Sequence, residues 1–69
     1  MLLVTVIKSG FSPKALEVEE GTTVRRAVQL AGFDTEDVQV TLRSGANIEM
    51  DEYVTDGAVL SVGEKKVGA

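Results

Sequence analysis

One stretch of this chain repeats its apolar residues at helical spacing, and the segments around it do not. Val24, Ala27, Val28 and Ala31 fall at i, i+3, i+4 and i+7, with Leu30 beside the stripe and Arg25, Arg26 and Gln29 opposite. Thr22 or Thr23 precedes this run as the N-cap, where a hydroxyl can accept from an orphan amide of the first turn. Gly32 follows where a helix leaves through a left-handed residue, and Phe33 is placed to fold back over the last turn. The spacing predicts a helix of about ten residues, close to the globular mean. A single helix must therefore cover whatever sheet the rest of the chain builds.

The flanking segments read as strands. Leu2 to Ile7 is nearly continuous and rich in β-branched residues, the pattern of a strand central in a sheet or covered on both faces. After the turn residues Ser9 to Pro13, Leu16 and Val18 alternate with Glu17 and Glu19, so the second strand forms a hairpin with the first. Asp34 to Asp37 is a polar connector, and Val38, Val40 and Leu42 alternate with Gln39 and Thr41 as a half-buried strand. Ser44 to Asn47 is a turn, Asn47 to Met50 a short fourth strand, and Asp51 to Val54 one turn of helix. Asp56-Gly57 reverses the chain into a last strand, Ala58 to Val62, expected to pair beside the first. These elements predict an α+β fold of the β-grasp type: a mixed sheet of four to five strands with one helix packed across it. Residues 1–62 form that domain, and residues 63–69 are expected to be a flexible C-terminal tail.

Sixty-nine residues make one domain with a limited core. With neither Cys nor His, no disulfide staple and none of the usual zinc constellations is available. Eleven acids against seven bases leave a net charge of −4, without the basic stripe of a nucleic-acid binder. The basic pairs Arg25-Arg26 and Lys65-Lys66 read as solvated side chains. Neither a secretory signal nor an apolar run long enough to span a membrane is visible, and the expected compartment is the cytoplasm.

Catalytic chemistry finds little to work with. Glu49, Asp51, Glu52 and Asp56 are the densest acids, but they lack the alternation, central Gly and closing Glu of a calcium loop. The glycines fall at reversals and ends, and none forms a phosphate-cradling run. Without Cys or His, acid–base or nucleophilic work would fall to Asp, Glu, Lys, Tyr53 or Ser in a domain too small to enclose much of a pocket. No enzymatic activity, cofactor or metal is expected. What remains is binding to another protein, through the tail and the sheet face the helix leaves uncovered. On that face Thr5, Glu17, Glu19, Gln39, Thr41 and Arg43 are polar. Leu3, Phe11, Ile48 and Met50 are the apolar residues that would mark an interface if exposed together, Phe11 first among them because it sits in a turn.

Three stretches carry a resemblance over essentially the whole length. Glu19-Glu20-Gly21-Thr22-Thr23-Val24 leads into the helix, Val54-Thr55-Asp56-Gly57-Ala58-Val59-Leu60 leads into the final strand, and Val67-Gly68-Ala69 closes the chain. Together they resemble the small sulfur-carrier branch of the ubiquitin-like β-grasp proteins, the ThiS and MoaD type. The first two stretches also resemble other β-grasp domains, TGS domains among them. In the sulfur-carrier branch the chain ends in Gly-Gly. An E1-like enzyme adenylates the terminal carboxylate, which becomes a thiocarboxylate that donates sulfur in thiamine, molybdopterin or tRNA thiolation. Absence of a Cβ lets such a tail thread a narrow channel. Here Gly68 matches one glycine and Ala69 puts a methyl beside the terminal carboxylate. The resemblance therefore implies a non-enzymatic protein that docks on a protein partner. The alternatives are a sulfur carrier activated at Val67-Gly68-Ala69 by an E1-like adenylating enzyme, and a TGS-like RNA-binding module, which the acidic balance disfavours.

Overall fold

In the computed structural model, which describes residues 1–64, the chain runs β1 (Leu2–Lys8), β2 (Lys14–Val18), α1 (Val24–Leu30), β3 (Val38–Leu42), β4 (Asn47–Ile48) and β5 (Ala58–Glu64). The five strands form one sheet in the order β2-β1-β5-β3-β4. β1 and β5 lie parallel near its middle, and the other neighbours pair antiparallel. Parallel neighbours need a crossover, and α1 lies within it, covering one face of the sheet.

The core is built of small β-branched residues. Val4, Val6, Val24, Val28 and Leu60 are wholly inaccessible, and Val18, Val40, Val54, Val62, Ala27 and Ala31 complete it. The near-continuous apolar run of β1 suggested a strand central in the sheet or covered on both faces; β1 is an interior strand, and only one face is buried: Val4 and Val6 face α1, while Leu3 between the strand's start and Val4 is 51% exposed. One helix can cover only one side of a sheet, so alternation asserts itself even where every residue is apolar.

α1 is seven residues long, shorter than its apolar stripe suggested, because Ala31 already serves as its C-cap. Gly32 then adopts φ +87°, and its amide donates to Gln29 while that of Phe33 donates to Val28. This pair of bonds is the Schellman closure expected at Gly32-Phe33. At the other end Thr23 is the N-cap, its Oγ1 accepting from the Arg26 amide at 3.2 Å. The Val24 and Arg25 amides donate to the carbonyls of Glu52 and Met50, both at 2.9 Å. The amides of the first three helical residues, which a helix start leaves orphaned, are thus matched by protein groups.

That pairing also explains why Asp51 to Val54 is not the helical turn the sequence suggested. Tyr53 forms an antiparallel bridge with Thr23, and the Val54 amide donates to Thr22 at 2.9 Å, so the segment is drawn out along the start of α1. β4 is likewise shorter than Asn47 to Met50, since the Met50 carbonyl turns to the helix. β5 runs past the expected boundary at Val62: Gly63 pairs with Gln39 and Glu64 with Val38, because β3 continues that far alongside. Of the expected tail, residues 65–69 lie outside the described residues.

Candidate docking surface

Phe11 is 57% exposed, in the turn that the Phe11 amide closes on the Lys8 carbonyl at 3.0 Å. Its ring stands edge-on to Phe33 with centroids 5.4 Å apart, and the Lys8 ammonium lies 5.5 Å from the one ring and 5.7 Å from the other. Phe11 therefore caps the core's edge near the end of α1. Ile48 and Met50 are half-buried against the core beside the start of α1, not exposed. β1 and β4 are three strand spacings apart in the sheet, about 14 Å. Phe11, Ile48 and Met50 are thus not one patch. The remaining candidates, Val67, Gly68 and Ala69, fall outside the described residues.

The face that α1 leaves open does carry apolar side chains. Strand register puts Leu3, Thr5 and Ile7 of β1 on it, beside Ala15 and Glu17 of β2, Val59 and Ser61 of β5, and Gln39 and Thr41 of β3. Ile7, Val59, Thr5 and Ser61 line one shallow groove with Pro13 at one rim and Arg43 at the other. Ile7 and Val59 are only half-buried, and Leu3 lies two residues along β1 from Thr5. Sequence reasoning named Leu3, Thr5 and Arg43 for this face but did not single out Ile7 or Val59. The signal was available: once Leu60 and Val62 are core, Val59 must point the other way.

Asp56, in the turn before β5, reaches across to the opening of this face. Its Oδ1 accepts from the Leu3 amide at 2.8 Å, and the Gly57 amide donates to the Leu3 carbonyl at 2.8 Å. Gly57 has φ +82°, a conformation that an L side chain rarely adopts. The Asp-Gly pair therefore does more than reverse the chain: it supplies β1 with the partners that β5 has not yet begun to offer. Among the described residues no polar or charged side chain is buried, and no three acidic side chains gather closely enough to hold a metal ion.

One helix across a five-stranded mixed sheet, with first and last strands parallel at its centre, defines a ubiquitin-like β-grasp domain. Among solved structures the chain is similar to a Caldiarchaeum subterraneum ubiquitin, with a TM-score of 0.68 and 20% identity over 99% of this chain and 98% of that one. It is also similar to a computationally designed protein based on human erythrocytic ubiquitin, with a TM-score of 0.65 and 19% identity over 100% of this chain and 98% of that one. Both likenesses are of fold. No protein-family model matches the chain, and neither does any curated protein. No helix among the described residues is long and apolar enough to cross a membrane.

Proposed function

We propose that this chain is a small, non-enzymatic, cytoplasmic β-grasp protein that acts by docking on another protein through the helix-free face of its sheet. The observation that carries this reading is the groove of Ile7 and Val59, flanked by Leu3 and rimmed by Arg43. Apolar side chains grouped on the open face of a sheet gain from being covered, and a rim cation orients a partner by charge. The ubiquitin-like fold supports the reading in so far as that scaffold holds the face rigid.

The test compares three forms as bait in extracts of the source cell: the intact protein, V59D and R26E. Arg26 lies exposed on α1, away from the open face. A partner retained by the intact protein and by R26E, but lost with V59D while circular dichroism stays native, is the expected result. Equal retention by V59D would refute the assignment of the face. A second reading, the sulfur carrier, draws support from Gly68 in the sequence and from the order of β5 up to Glu64. Its partner would be an E1-like adenylating enzyme. Mass spectrometry of the protein from its own cell separates the two: a terminal thiocarboxylate supports the carrier, and a persistent plain carboxylate argues against it.

A further inference from the structure

A different surface, independent of the Ile7–Val59 groove, lies along the outer edge of β2. Among the described residues, strand order leaves β2 with a neighbour on one side only. Which of its backbone groups are free follows from β1. The Leu3 amide and carbonyl bond to Asp56 and Gly57, on the β5 side. Amide and carbonyl directions alternate along a strand, so Leu2, Val4 and Val6 turn theirs toward β2, where they face Val18, Leu16 and Lys14. Ala15 and Glu17 must then point theirs outward. Both residues are exposed, and among the described residues no backbone or side-chain group bonds to either.

The free stretch is short and closed at both ends. Pro13 has no amide to offer. The Glu19 carbonyl is taken by the Thr22 amide at 3.2 Å and the Thr22 hydroxyl at 2.6 Å. Ala15 and Glu17 are the residues of this edge that keep both a donor and an acceptor. Side chains decide what can lie against them. Glu17 stands on the helix-free side of the edge with Glu19 and Glu20 following it, all exposed, while Leu16 is half-buried on the α1 side. A second copy of this chain is a poor occupant. Any antiparallel register that satisfies Ala15 and Glu17 of both copies sets the two Glu17 carboxylates facing or diagonally adjacent on one face, which is repulsive.

We propose that the β2 edge accepts an extended segment of another protein as a sixth strand, and that this segment alternates basic and apolar residues. Basic side chains fall opposite Glu17 and Glu19, apolar ones lie over Leu16, and the main chain bonds to Ala15 and Glu17. The charge that guards the edge against self-association is then the charge that selects the occupant.

The probe is a capped alternating Lys-Val hexapeptide, titrated into the full chain and followed by amide NMR shifts and hydrogen exchange. Its Glu-Val counterpart is the control. Slowed exchange at Ala15 and Glu17 is expected, with affinity for Lys-Val roughly tenfold above Glu-Val as two cross-strand charge pairs change sign. The E17K/E19K variant should invert that preference. A Lys-Val peptide N-methylated on alternate amides leaves the protein untouched and should bind in at most one of its two methylation phases, the phase whose free amides face β2. Equal binding of both peptides, unchanged exchange at Ala15 and Glu17, or shifts confined to Ile7 and Val59 would overturn the proposal. Failure at the β2 edge leaves the helix-free groove standing, since its own test uses V59D, and shifts confined to Ile7 and Val59 would move the peptide site to that groove.

Discussion

The bond from the Leu3 amide to Asp56 joins residues 53 apart in sequence and holds the start of β1 to the turn before β5. Replacing Asp56 by Ala leaves that amide without its partner while Gly57 and its positive φ remain. A hydrogen bond to a charged acceptor contributes about 1.5–3 kcal/mol when it is sheltered. Here Asp56 is exposed and Leu3 is 51% exposed, so water recovers part of the loss. About 1–1.5 kcal/mol remains as the expected cost of D56A. In a domain this small that lowers Tm by about 5–10 °C. D56N keeps a carbonyl oxygen in place and loses only the charge, so it should cost about half as much. Urea unfolding followed by circular dichroism gives both values, and hydrogen exchange at Leu3 reports the bond itself. D56A within error of the intact protein, or D56N as damaging as D56A with Leu3 exchange unchanged, would refute the clamp.

Leu60 is the largest wholly buried side chain, so L60A should cost about 3–4 kcal/mol. The whole domain is worth only about 3–10 kcal/mol at its length, so denaturant melts should find L60A largely or wholly unfolded at 37 °C. T23A removes the acceptor for the Arg26 amide and should cost about 1 kcal/mol in the same assay. T22A, which the sequence made an equal candidate for the cap, should cost less, because its hydroxyl bonds the exposed Glu19 carbonyl instead.

Most elements were legible because each depends on residues close together in the chain. The stripe from Val24 to Ala31, the left-handed exit at Gly32 and the alternation from Val38 to Leu42 are local signals, and α1, its closure and β3 appear where those signals put them. Asp51 to Val54 was misread because its course is set by Thr22, Thr23 and the orphan amides of α1, a partnership some thirty residues away in sequence. Phe11, Ile48 and Met50 were grouped as apolar residues that would mark an interface if exposed together. Strand order sends Phe11 toward the end of α1 and the other two to its start.

Taken alone, the residues determined the class of fold, because periodicities of two and of 3.6 along a chain of this length admit little besides one helix on one sheet. They also determined the absence of a cysteine or histidine chemistry. Tertiary structure alone decided which side of β1 is covered, that Ile7 and Val59 share the open face, and that Ala15 and Glu17 face outward from β2. The physical reason is that a side chain's or amide's direction in a sheet depends on which neighbour the strand acquires, and that neighbour is chosen by contacts far apart in sequence.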